Sequence, residues 1–287
     1  MLIALNQSQQ EFIAFLKSKN KAHATILAYG NDILQFTQFL TSRGLATIDQ
    51  ITSADIEAFK NDLLNKKYTT KSVARKLNSV KTYFRYLIAF QNLEGNPSES
   101  VSHPKYTLTP PRILTKMEYR SLRDACRNDP RMYTIVELFL QTGIRISELA
   151  RLTLEDIMGG NKLRIEAYES HETRIIPLNK PAKTALDIWL EARPRVTNNS
   201  LFITKTGKQF QVRNIRTALD RYFRIADIKG ATVNDLRHTF IAHQLKAGTP
   251  MTLVSKLAGH KRLSTTEKYL EFIKESPPIN ATHLEEL

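Results

Sequence analysis

Four side chains in the second half of the sequence carry chemistry that fits together: Arg145, Arg237, His260 and Tyr269. A phenol can attack phosphorus, a guanidinium fork matches the nonbridging oxygens of a phosphate, and an imidazole can donate one further hydrogen bond. Such a set is suited to cutting a phosphodiester. Arg145 stands in Thr-Gly-Ile-Arg-Ile-Ser-Glu-Leu, Arg237 in Asp-Leu-Arg-His-Thr-Phe, His260 in Leu-Ala-Gly-His, and Tyr269 nine residues later in Thr-Thr-Glu-Lys-Tyr. Each alone has a structural explanation, as a packed tyrosine, a surface ion pair or a satisfied histidine. Their order and spacing make the combination specific.

These residues need elements that turn the chain back on itself. Nine residues span two and a half helical turns, so His260 and Tyr269 cannot share a face of one helix. Gly259 is a helix stop, and Ser264-Thr265-Thr266-Glu267 reads as a capping box, which puts Tyr269 in the first turns of a new short helix. Arg237 falls just inside a helix whose N-cap is Asn234 or Asp235, and Arg145 follows the break at Gly143.

The rest of the chain reads as mainly α with a small β-sheet. Residues 1–96 hold four helical patterns: one opened by a capping box at Ser8 and Glu11, one through Ile26 to Leu40 ending at Gly44, one capped by Ser53, and one after Thr69 and Thr70. In the fourth, Val73, Leu77, Val80, Phe84 and Leu87 form an apolar stripe, while Lys71, Arg75, Lys76 and Arg85 are basic candidates for following a phosphate backbone. A proline-bearing stretch at 97–112 reads as an extended, contact-poor linker. Helices start at Thr115 and at Asp129-Pro130, residues 162–168 and 173–177 form an antiparallel hairpin, and Leu201-Phe202-Ile203 suggests another strand. Further helices cover 181–191, 212–225, 236–246 and 250–257, giving a helical second domain over 113–276 and a tail at 277–287.

Composition narrows the partners. Of the 287 residues, 42 are Lys or Arg and 28 are Asp or Glu, a net charge of +14 that predicts attraction to a polyanion. Residues 1–105 carry 13 basic and 8 acidic side chains and the remainder 29 and 20, so both parts are expected to touch nucleic acid. No apolar run approaches the roughly 18 residues of a membrane span, so no membrane partner is expected. The single cysteine, Cys126, cannot form an intramolecular disulfide, and the first residues lack the pattern of a secretory leader. Both features lead to the expectation of a cytoplasmic, nucleoid-associated protein.

On the four boxes quoted above and on its length, the chain resembles the tyrosine recombinases, the family of phage integrases and Xer-type dimer resolvases. The resemblance implies an N-terminal four-helix, SAM-like core-binding domain and a mostly helical catalytic domain. It implies Tyr269 as the nucleophile that forms a 3′-phosphotyrosine in double-stranded DNA, with Arg145, Arg237 and His260 on the phosphate. Neither a metal nor another cofactor is implied, and the working assembly would be a homotetramer or heterotetramer on two DNA sites, for integration, excision or dimer resolution.

Two positions depart from the family pattern. Asn234 stands where a histidine is usual, three residues before Arg237; its amide can donate to a phosphate but cannot move a proton near neutral pH, a loss of about 10²-fold if nothing compensates. His238 is a possible substitute. The hairpin loop Glu169-Ser170-His171-Glu172-Thr173 has Glu169 where the family places a lysine that protonates the leaving 5′-oxygen, leaving His171, or Lys162 in another register, as the acid. These departures favour a second reading, a DNA-binding relative with attenuated or lost catalysis that acts as an architectural or regulatory partner.

Overall fold

A computed structural model describes residues 3–107, 109–168 and 171–271. The chain divides into two compact units, Met1–Leu108 and Thr109–Leu287. Among the described residues no helix is long and apolar enough to cross a membrane.

The first unit is built from four helices, α1 (Leu5–Ser18), α2 (His23–Ser42), α3 (Ser53–Asn65) and α4 (Thr70–Gln91). Their apolar faces meet in an aromatic core in which Phe12, Phe36, Phe59, Tyr83 and Phe84 are fully buried. Thr69 caps α4 by accepting from the Ser72 N–H. Two caps differ from those expected from the sequence. Helix α1 starts at Leu5 with no side-chain cap, because Ser8 lies inside the helix and its hydroxyl meets the buried Tyr83 hydroxyl at 2.5 Å. Thr52, one residue before Ser53, caps α3 in a reciprocal box with Asp55. Val101, in the stretch expected to make few contacts, is buried in this same core and anchors that segment to the helices.

The second unit runs through α5 (Lys116–Cys126), α6 (Pro130–Thr142), α7 (Ile146–Arg151), strands β1 (Ile157–Met158), β2 (Lys162–Ile165) and β3 (Arg174–Pro177), then α8 (Lys180–Ala192), α9 (Val212–Ile225), α10 (Val233–Lys246), α11 (Met251–Ala258) and α12 (Ser264–Leu270). Asp129 and Pro130 open α6 as the sequence predicts, and this helix is buried on nearly every side, as expected of a central helix. The sheet is antiparallel in the order β1-β2-β3, with Lys162 opposite Pro177 and Ile165 opposite Arg174. Residues 201–203 form no strand; isolated bridges from Ser200 to Thr153 and from Ile203 to Gln209 hold this turn-rich segment while Leu201, Phe202 and Ile203 fill the core. Helix α10 starts earlier than predicted, with Thr232 as N-cap and Asp235 as its reciprocal partner, so neither Asn234 nor Asp235 is the cap. Helix α12 begins at Ser264 without a side-chain cap, which removes the capping box expected there.

Candidate active site

Two left-handed glycines set the geometry. Gly143, at φ 60°, ends α6 and leaves Arg145 as the N-cap residue of α7; a Cβ on Gly143 would lie 2.2 Å from the Phe240 ring. Gly259, at φ 65°, ends α11, and a Cβ there would lie 2.8 Å from the Arg174 guanidinium and 3.2 Å from that of Arg145. Only a residue without a side chain permits those cations so close to the backbone.

Three arginines converge on the end of α11. Arg174 Nε donates to the Leu257 carbonyl at 2.7 Å, Arg237 Nη2 to the Ala258 carbonyl at 2.7 Å, and Arg145 Nη2 to the Gly259 carbonyl at 2.7 Å. These are consecutive carbonyls at the negative end of a helix, which attract cations. Glu148 ties two of the arginines together. Its carboxylate accepts from Arg174 Nη1 and Nη2 at 2.9 and 2.7 Å, from Arg145 Nη1 at 2.9 Å and from the Arg145 N–H at 2.8 Å. Arg237 Nη1 also donates to the Gly143 carbonyl, which links the two glycine breaks.

Tyr269 packs against this cluster, with only 6% of its surface exposed. Its ring stacks on His260 at 6.4 Å and 16°, and its hydroxyl meets His238 Nδ1 at 2.6 Å. Nδ1 of His260 in turn meets the buried Thr266 hydroxyl at 2.7 Å. The sequence expectation that a turn after Gly259 brings Tyr269 back onto His260 matches this arrangement.

The cluster is electrostatically unbalanced, with three guanidiniums around one carboxylate. Burial disfavours the Glu148 anion, but hydrogen bonds and charge from Arg174, joined by Arg145, outweigh it and hold the group at about 2. Burial, then the neighbouring Arg145, brings Arg237 down to about 9. Burial first, followed by Arg237 and Arg145, pushes His260 down to about 3, so its imidazole is neutral at physiological pH. Burial raises the Tyr269 phenol, and the Arg237 charge opposes that rise. A cavity of about 670 Å³ adjoins the cluster, lined by His171, Arg174, Ser255, Gly259, His260 and Lys261 among others.

The other predicted residues fall in different settings. Asn234 is exposed on the first turn of α10, and its side chain makes no hydrogen bond among the described residues. Glu169 and the tail at 277–287 lie outside the described residues. His171 lines the cavity, whereas Lys162 sits at the opposite end of the hairpin, three residues along β2 from the partner of Arg174. In the first unit, Lys71 and Arg75 share a groove with His103 and Tyr106, and Arg85 is exposed and donates to Thr82 at 2.9 Å. Arg75 grips Asp32 with both terminal nitrogens while its side chain remains 52% exposed. Lys76 differs from expectation: its ammonium is buried against Asp32 at 3.0 Å and Gln35 at 2.7 Å, because it belongs to the packed side of α4. Sequence reasoning missed Glu148 and Thr266, and also the place of Arg174 beside Arg145. The signal for Glu148 was present, since it sits three residues after Arg145 at the start of a helix, where a glutamate closes a capping box.

The comparisons with known proteins agree with this geometry. The sequence model of the phage integrase family matches residues 112–275, and that of the phage integrase N-terminal SAM-like domain matches residues 10–91. This chain belongs to the phage integrase family, the tyrosine recombinases. A tyrosine recombinase XerC from Roseiflexus castenholzii is 30% identical, with 97% of this chain and 93% of that protein covered. One from Listeria welshimeri is 29% identical, with 93% of each covered. Among solved structures, XerA recombinase matches at a TM-score of 0.53 and 26% identity over 92% of each chain. A lambda integrase dimer bound to a COC′ core site matches at a TM-score of 0.77 and 19% identity, over 99% of this chain and 81% of that one; at this identity the likeness concerns the fold.

Proposed function

We propose that this protein cuts and rejoins double-stranded DNA at specific sites through a 3′-phosphotyrosine on Tyr269. The observation that carries this reading is a phenol beside an excess of buried positive charge: the single carboxylate of Glu148 neutralises only one of the three guanidiniums of Arg145, Arg174 and Arg237. A phosphodiester supplies the missing anion. Guanidinium forks and preorganised donors hold the charge that grows on phosphorus in the transition state, without reorganisation. Arg145 and Arg237 contact the nonbridging oxygens. Thr266 donates to Nδ1 of the neutral His260, which leaves Nε2–H to donate to the same phosphate.

Attack by Tyr269 forms the P–O bond to the phenol oxygen, breaks the P–O5′ bond and releases a 5′-hydroxyl. That hydroxyl later attacks a phosphotyrosine on another strand, so phosphodiester energy is conserved through the exchange. His171, which lines the cavity and is kept below its ordinary value by burial and then Arg145, protonates the leaving oxygen once the phosphate offsets the arginines. Asn234, one helical turn before His238, adds an amide hydrogen bond to the phosphate. The groove of Lys71, Arg75, His103 and Tyr106 binds the duplex backbone, with Arg85 further along α4. The working unit is a tetramer of this chain, alone or with a related recombinase, acting in the cytoplasm on nucleoid DNA. Residues 1–96 serve as the core-binding domain, 97–112 as the connection, 113–276 as the catalytic domain and 277–287 as a tail.

The test is a suicide DNA substrate that traps the covalent intermediate on a denaturing gel. The wild-type protein is expected to form the adduct and Tyr269→Phe to form none. DNA binding without an adduct across a wide pH range would refute the reading.

A further inference from the structure

Resting on that reading, we propose that His238 is the base that takes the proton of Tyr269 as its oxygen attacks phosphorus, filling the role left open by Asn234. Four observations on geometry carry this. The Tyr269 hydroxyl and His238 Nδ1 are 2.6 Å apart, within direct proton-transfer distance, and their rings lie 5.8 Å apart. His238 belongs to α10, whose neighbouring residue Arg237 is anchored by the Gly143 and Ala258 carbonyls, so the imidazole is borne on a fixed backbone. Tyr269 belongs to α12, and α12 packs on α10 and α11, so nucleophile and acceptor are held by rigid elements. Asn234 is exposed one turn earlier on the same face and is unable to accept a proton at neutral pH.

The charge environment is consistent with this role. Burial lowers His238, Asp235 opposes that and Arg237 adds to it, which favours the neutral ring; with its proton on Nε2, Nδ1 accepts from the Tyr269 hydroxyl. Among the described residues, Tyr269 itself and, across the phenol ring, the neutral His260 also face it. Nδ1 of His260 is engaged by the Thr266 hydroxyl, leaving His238 as the imidazole in contact with the phenol hydroxyl. In the cleavage step the phenol proton moves to His238 Nδ1, the phenol oxygen bonds to phosphorus, and the P–O5′ bond breaks. The 5′-oxygen takes its proton from a separate donor, His171 or water. The imidazolium returns its proton to the phenol oxygen when the 5′-hydroxyl of a partner strand displaces it, and that hydroxyl gives up its own proton to the group that supplied one in cleavage, His171 or water. Every atom and charge is accounted for without a cofactor.

The informative variant is His238→Asn, whose amide oxygen can accept from the phenol near the Nδ1 position but cannot hold the proton. Covalent-adduct rates would be measured on a suicide substrate with an ordinary 5′-oxygen leaving group and on one with a bridging 5′-sulfur, which leaves without protonation. His238→Asn is expected to cleave about 10²-fold more slowly on both substrates, with an unchanged melting temperature and loss of the wild-type rate increase as His238 deprotonates. His171→Ala is expected to be slow on the oxygen substrate only. A His238→Asn rate within threefold of wild type, a faster rate, or rescue by the sulfur substrate would overturn the assignment. Failure of the wild type itself to form an adduct would instead refute the strand-cleavage reading on which the assignment rests.

Discussion

Each unit of the molecule has a carboxylate buried between two or more cations, Asp32 in the first and Glu148 in the second, and the two clusters are resolved differently. In the first unit Asp32, 2% exposed, accepts from Arg75, Lys76 and Ser79, and Gln35 receives another hydrogen of the Lys76 ammonium. Its partners lie on α4 and the network ties α2 to α4. In the second unit Glu148 faces Arg145 and Arg174, but among the described residues Arg237 has no carboxylate partner and is supported by carbonyl oxygens. The first cluster has a single cation in excess, the solvent-exposed Arg75, and contributes to packing. The second is left short of negative charge. A buried ion pair is weak evidence of function when its polar atoms are satisfied, whereas an excess of fixed cations next to a nucleophile is preorganisation for an anion.

The largest effect should come from deleting a cation of the second cluster. Arg145→Ala or Arg237→Ala is expected to reduce covalent cleavage by about 10²- to 10³-fold or more, with DNA affinity in a gel-shift assay changed only a few-fold because many other basic contacts supply binding. An equal collapse of binding and cleavage would break the contrast between the clusters.

Removing the carboxylates sharpens it. Glu148→Gln and Asp32→Asn should each destabilise the fold by about 3 kcal/mol, since each leaves at least one buried cation uncompensated, Arg174 or Lys76. Denaturant unfolding measures that cost. Only Glu148→Gln should also disturb the chemistry; for Asp32→Asn, single-turnover cleavage by the folded fraction should match wild type.

Acid should separate the clusters through His260 and Glu148. Burial and the arginines hold the folded His260 at about 3, below its ordinary 6.5, so the unfolded chain binds the extra proton between those values and stability falls as pH drops through that window. Glu148, held at about 2 against an ordinary 4.5, adds a second loss between those values. Asp32 is also lowered, against the effect of its burial, by Arg75, Ser79 and Lys76. Melting temperatures of wild type and His260→Gln should therefore converge as pH falls below about 6.5. A constant difference would contradict the buried neutral histidine.

The smallest effect concerns DNA contacts in the first unit. Lys71→Ala should reduce the slope of log affinity against log salt by about 1, and Lys76→Met should leave that slope unchanged, because one ammonium is exposed and the other is held by Asp32.

Much of this was legible in the sequence, for identifiable reasons. The four chemical boxes are local words, each a turn signal beside a side chain suited to phosphate chemistry, so Arg145, Arg237, His260 and Tyr269 could be picked out before any contact was known. Helices with strong periodicity, such as α4 and α6, were equally readable. Caps were less so: Ser8 fits an N-cap pattern, but burial beneath Tyr83 carries the helix past it. Lys76 looked like its basic neighbours because sequence spacing does not show that Asp32, 44 residues earlier, faces it. Glu148 and Arg174 stayed hidden for the same reason, as their pairing joins α7 to a strand 26 residues away. Leu201-Phe202-Ile203 has the composition of a strand because it fills a core, and burial alone does not make a ladder.

Helix α11 has a consequence for how this protein can vary. The arginines of its cluster are docked to the main-chain oxygens of Leu257, Ala258 and Gly259, so the alignment is written in backbone rather than in side chains. Outward-facing side chains of α11 that do not line the cavity can therefore drift freely. Adding or removing a single residue before Gly259 cannot be absorbed in the same way, because it would turn the row of oxygens by about 100° and reassign each guanidinium at once. The helix works as a short ruler, tolerant of what is written on it and intolerant of any change in its length.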